Sequence, residues 1–177
     1  MNNKGFSMVE AIIVIMILSV LGVGAAMSIS MVDNSNAKAC ANSIRDTIAD
    51  AKILAMSKGN NKARVHIYKD AKGRLRTQQE IKGVSGWEPY QEENDIGKRR
   101  VDISYIKKGE TAENPVTDGG AGLYISFDRS SGAFTVIADG ADPGKNTIIP
   151  EVIFVRGGNR IYRLLLHELT GKVEIVE

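Results

Sequence analysis

Glu10 is the residue whose placement asks for chemistry. It stands at the mouth of a 22-residue stretch, Ala11 to Val32, that carries neither charge nor proline. A carboxylate at the centre of an isolated membrane helix costs about 2.5–3.5 kcal/mol on insertion scales. Nearer the helix end the cost falls, because the side chain reaches toward the headgroups. Two readings follow. Glu10 is either a carboxylate at the water boundary or one buried against a positive partner in an assembly. Other chemistry finds few residues. One cysteine and two histidines leave a zinc cluster short of ligands unless carboxylates join. Cys40 cannot close an intrachain disulfide and reads as a small side chain packed in an Ala-rich helix. His66 and His167 fall in strand-like segments, as packing or surface residues. Nucleophile-elbow, Walker and dinucleotide glycine patterns are absent, so neither an active site nor a cofactor is expected. Asp139-Gly140-Ala141-Asp142, with Asp118 upstream, could gather carboxylates for calcium. It lacks the spacing of an EF-hand loop and reads as a solvated turn. Lys98, Arg99, Arg100, Lys107 and Lys108 flank one strand-like segment, as a solvated face or as a phosphate-contacting patch for DNA.

These residues need elements to carry them. A helix rises about 1.5 Å per residue, so Ala11–Val32 matches the roughly 30 Å hydrocarbon core of a bilayer and is a transmembrane helix candidate. Gly22 and Gly24 make a weak, bendable place or a close-approach surface within it. Beyond Asp33 the composition turns polar but the helical period continues. Ala37, Ala41, Ile44, Ile48, Ala51 and Ala55 recur at steps of three and four, one face of an amphipathic helix. The spacing predicts one helix from about Phe6 to Ser57, closed by Lys58-Gly59. Asp33-Asn34-Ser35-Asn36 offers the alternative of a cap for a separate second helix.

After Gly59 the signal changes to strands. Arg64–Tyr68 and Leu75–Ile81 form a hairpin about Asp70-Ala71-Lys72-Gly73. Residues 83–98 read as a loop with an acidic run at Glu92, Glu93 and Asp95. Val101–Ile106 alternates again, and residues 108–122 read as a second loop. Leu123–Phe127 and Ala133–Ala138 flank the turn Asp128–Gly132. Thr147–Val155 is a further strand, with Pro150 at an edge or bulge. Ile161–His167 and Lys172–Val176 close the chain as a hairpin. The fold class is α+β, a long N-terminal transmembrane and amphipathic helix packed on an antiparallel β head. Its parts are a leader at 1–5, an apolar half-helix at 6–32, an amphipathic half at 33–58 and the head at 59–177. Charge is nearly balanced at +2 and by itself predicts no nucleic-acid partner.

Lys4-Gly5-Phe6-Ser7-Met8-Val9-Glu10, followed by Ala-Ile-Ile-Val-Ile, resembles the prepilin leader of type IV pilins and type II secretion pseudopilins. The resemblance implies that a prepilin peptidase cuts after Gly5, that the new terminus Phe6 is N-methylated, and that Phe6 of one subunit pairs with Glu10 of the next. The freed amine has a pKa near 7.7–8.0 and is cationic at neutral pH, so the pair would set the axial stagger of neighbours. Later segments resemble the H-type pseudopilin and FimT-like minor pilin group: Ile125-Ser126-Phe127-Asp128 to Gly132, and Thr170-Gly171-Lys172-Val173. The single cysteine departs from pilins that close a C-terminal loop with a disulfide.

Function is therefore expected to be structural. The expected partners are other pilin or pseudopilin subunits, the prepilin peptidase, a membrane assembly platform and the bilayer, with nucleic acid unsupported. The expected location is the inner membrane, single-pass, with the head outside the cytoplasm. The alternatives are a membrane-anchored binding domain that does not polymerise, a cleaved secretory signal ahead of Ala26, and an exported enzyme.

Overall fold

The computed structural model describes residues 7–57, 63–97, 100–116, 122–139 and 150–177, without the side chains of 23–27, 136, 138 and 139. A single helix, α1, runs from Met8 to Ser57, about 75 Å at 1.5 Å per residue. It passes through Asp33–Asn36 without a break, so the two-helix alternative does not hold. The closing Lys58-Gly59 lies outside the described residues.

Eleven strands follow among the described residues. β1 (Ala63–Lys69), β2 (Leu75–Lys82), β3 (Trp87–Pro89), β4 (Asn94–Asp95), β7 (Leu123–Phe127) and β8 (Phe134–Asp139) form one antiparallel sheet in the order β3-β2-β1-β7-β8, with β4 also on β2. β5 (Val101–Lys107), β6 (Glu113–Pro115), β9 (Pro150–Gly157), β10 (Arg160–His167) and β11 (Lys172–Val176) form the second, ordered β11-β10-β9-β5-β6. The two stretches expected to be loops, 83–98 and 108–122, therefore contain β3, β4 and β6. At two or three residues each, these strands have no periodicity to display. They exist because β2 and β5 would otherwise present unpaired edges there. β9 starts at Pro150, and Thr147–Ile149 lie outside the described residues. Opposite Pro150 the register shifts between Ile106 and Lys107, so the proline sits at a bulge, where a missing N–H costs least.

The core lies between the second half of α1 and both sheets. Ala37, Cys40, Ala41, Ile44, Ile48 and Ala51 are fully buried on one stripe. They meet Val65, Ile67, Ile125, Ile153, Val155 and Leu164 from the strands. Small residues on the helix stripe let the strands approach closely. One close approach is at Gly157, where a Cβ would meet the Asp33 carbonyl at 2.7 Å.

Candidate assembly site

Ser7 and Glu10 close the N-terminus of α1 against each other. The Ser7 backbone N–H donates to Glu10 Oε2 at 3.0 Å, and the Val9 N–H donates to Ser7 Oγ at 3.3 Å. This is a capping box, Ser-x-x-Glu, which satisfies two of the four orphan N–H groups of a helix start. Glu10 also lies in the first turn, where the helix dipole favours a negative charge. Its sequence signal is a serine followed three residues later by glutamate.

Below this cap the helix is bare. Every side chain from Ser7 to Gly22 is exposed, among them Ile12, Ile15, Leu18, Val20 and Leu21. An apolar surface of this extent marks a site of contact with a partner or a membrane. Among the described residues, which omit the side chains of 23–27, no helical stretch is long and apolar enough to cross a membrane. Gly22 faces open space. The helix backbone is unbroken at Gly22 and Gly24, and the surroundings of Gly24 lie outside the described residues.

The polar run after the apolar half ties the helix to the head. Asp33 pairs with Arg100 at 3.5 Å, and Asn34 Oδ1 accepts from the Asn159 N–H at 2.9 Å. Both side chains are thus used by the head and not for capping. The bare half-helix continues out of the head from this joint.

Residues 1–26 match the family model of the prokaryotic N-terminal methylation motif. The chain carries a prepilin leader. The motif marks a type IV pilin-like precursor, processed by prepilin peptidase. Gly5 and Phe6, its cleavage and methylation positions by resemblance, lie outside the described residues. No curated protein and no solved structure matches the chain.

The described basic residues flanking β5 are not gathered into one patch. Lys98 and Arg99 lie outside the described residues. Arg100 turns to Asp33, while Lys108, at the opposite end of β5, pairs with Glu168 at 2.9 Å. Seven residues of strand, roughly 20 Å, separate the two ends. Lys107 ends β5 half-buried. Asp118 and Asp142 of the calcium reading also lie outside the described residues. Among those described, no three metal-ligating side chains cluster.

A cluster that sequence reasoning missed sits on the face of β1 turned away from α1. Arg64 and His66 are buried there, His66 as a packing residue, the first of its two expected readings. The Arg64 guanidinium lies between the Trp87 ring, 4.1 Å away, and the Tyr124 ring, 4.4 Å away, and it donates to Glu80 at 2.5 Å. His66 stacks between Tyr68 and Tyr124 at 4.3 and 4.0 Å. Burial, with Arg64 beside it, lowers the His66 pKa to about 4, so the imidazole is neutral at pH 7. Its Nε2 has no hydrogen-bond partner among the described residues. The pairings Arg64↔Glu80 and His66↔Tyr124 follow from strand register, which a single sequence does not disclose.

Proposed function

We propose that this chain is a minor subunit of a type IV pilus or a secretion or uptake pseudopilus, cleaved after Gly5 and N-methylated at Phe6. The observation that carries the reading is the position of Glu10, a carboxylic side chain at the head of an apolar half-helix exposed from Ser7 to Gly22, within a matched methylation motif. Before assembly the uncharged run Ala11–Val32 lies in the inner membrane, with the head on the outer side. In the filament it packs against the same run of neighbours. The Phe6 ammonium of one subunit then pairs with Glu10 of the next. Leaving one member of such a buried pair alone costs about 3–5 kcal/mol, and a neighbour in the wrong register meets the same penalty.

A minor, H-type or FimT-like place is supported by the two later motifs that resemble that group, because they touch. A side chain on Gly171 would run into the Gly132 carbonyl, and Lys52 of α1 lies against both turns. Lys52 Nζ also donates to the Thr170 carbonyl at 2.6 Å. The two turns thus form one unit docked on the helix.

The test replaces Glu10 with Ala and compares the membrane fraction with sheared filaments. The variant is expected in the membrane at normal abundance and absent from filaments. Normal incorporation contradicts the proposal.

A further inference from the structure

A groove of about 330 Å³ runs between Arg45, Ile48, Lys52 and Ile53 of α1 and Lys172 and Val173 of β11. Its floor is apolar and its rim is cationic. β11 ends its sheet and, among the described residues, pairs with β10 alone. Its outer edge therefore has no neighbouring strand among the described residues, although the Lys172 N–H donates to Thr170 Oγ1 at 3.4 Å.

The strand follows the helix. Gly171, just before β11, lies on Lys52. Glu177, just after it, pairs with Arg160, close to Gly158, which packs on Asn34. β11 thus runs back along α1 from the level of Lys52 toward that of Asn34. Lys38, Arg45 and Lys52 recur every seven residues and so share one stripe of the helix. That stripe is about 21 Å long, against roughly 17 Å for the five residues of β11. Arg45 touches Asp46 at 2.8 Å and Lys172 touches Glu174 at 3.5 Å. Both pairs are exposed, and exposed pairs hold their partners weakly.

We propose that this groove receives an extended peptide segment of a partner protein, alternating aliphatic and acidic residues, which adds to β11 as a sixth strand. The backbone edge supplies main-chain hydrogen bonds, and the pockets beside it select side chains. Aliphatic groups seat on Ile53 and Val173. Carboxylates meet Lys38, Arg45, Lys52 and Lys172. A nucleic-acid phosphate would use the cations but neither the apolar floor nor the strand edge, so peptide is favoured. The proposal does not depend on filament assembly.

The experiment measures fluorescence anisotropy of a fluorescein-labelled (Val-Glu)3 hexapeptide with the detergent-solubilised full-length chain. Saturable binding is expected. It should weaken at least tenfold when alternate peptide amides are N-methylated, when (Val-Lys)3 replaces the peptide, and in the chain carrying Arg45→Glu with Lys172→Glu. A Lys38→Glu chain, altered only at an exposed helix position, should weaken binding in the same direction. Absence of saturable binding overturns the proposal. So does binding indifferent to N-methylation or to charge reversal, or displacement of the peptide by a double-stranded DNA oligonucleotide.

Discussion

The Glu10 carboxylate accepts a hydrogen bond from the Ser7 backbone N–H at 3.0 Å, so the acid proposed to bridge subunits already serves its own helix. The two roles separate by substitution. Glutamine at the third helical position still completes a capping box but carries no charge. Glu10→Gln is expected to keep helix α1 intact, as read by circular dichroism in micelles, and to abolish filament incorporation. Ser7→Ala is expected to cost about 1 kcal/mol at the helix end and to leave incorporation near normal. Filament defects of equal size in both variants would assign Glu10 to capping alone.

The helix carries two kinds of isoleucine. Ile44 is fully buried against both sheets, whereas Ile53 is 65% exposed. Ile44→Ala is expected to lower stability by roughly 2–5 kcal/mol through lost burial and a residual cavity. Ile53→Ala should change it by less than about 0.5 kcal/mol. Denaturant unfolding of both variants in the same detergent checks the contrast.

His66 gives the head an acid-sensitive point. Its folded-state pKa is lowered to about 4 from an ordinary 6.5. Between these values the unfolded chain binds a proton that the folded chain does not, so stability falls as pH drops from about 6.5 toward 4. The full effect is on the order of 3 kcal/mol at one pKa unit per 1.36 kcal/mol. His66→Phe keeps the stack with Tyr68 and Tyr124 and removes the titration. Melting temperatures at pH 7 and pH 4.5 should differ clearly less for the variant. The carboxyls of Asp70 and Asp128 are held well below the usual range, Asp70 chiefly by the Arg74 N–H and Asp128 chiefly by the Ser130 hydroxyl. Their contributions are lost only at more acid pH.

Gly171 has φ +58° and its Cα faces the Gly132 carbonyl, while Gly73 has φ +70° and open space around it. A left-handed backbone costs a non-glycine residue about 1–2 kcal/mol. Gly73→Ala should cost about that much. Gly171→Ala should cost more, because the turn must also part from Gly132. Equal melting temperatures for the two variants would show that the turns do not dock.

Cys40 is fully buried on the core stripe, and burial pushes its thiol pKa up to about 12. The folded chain is expected to resist a thiol-disulfide reagent at pH 8 for hours and to react within minutes in denaturant. Rapid labelling of the native chain would place Cys40 outside the core.

The helical period of Ala37 to Ala55 and the alternation of the longer strands were legible because each buries a face against the other. The joint at Asp33–Asn36 was not, since its outcome rests on Arg100 and Asn159, residues far along the chain. β3, β4 and β6 are defined by the strand edges they cover, and local pattern is silent on that. Arg64 and His66 alternate with apolar neighbours, a pattern that leaves open whether they pack or face water. The cross-strand partners Glu80 and Tyr124, with Tyr68 and Trp87, bury them. At the N-terminus the acid was legible by its place before an uncharged run, yet its capping partner Ser7 was equally available and was overlooked. The scattered cations Arg100 and Lys108 looked adjacent to one strand, and the strand's own length keeps them apart.

The central claim is that Phe6 becomes a charged, methylated terminus able to meet Glu10. Intact-mass and N-terminal peptide mass spectrometry of the chain purified from its native membrane tests it most directly. The account predicts a polypeptide beginning at N-methyl-Phe6. A chain that retains Met1 to Gly5, or one that begins near Ala26, contradicts it.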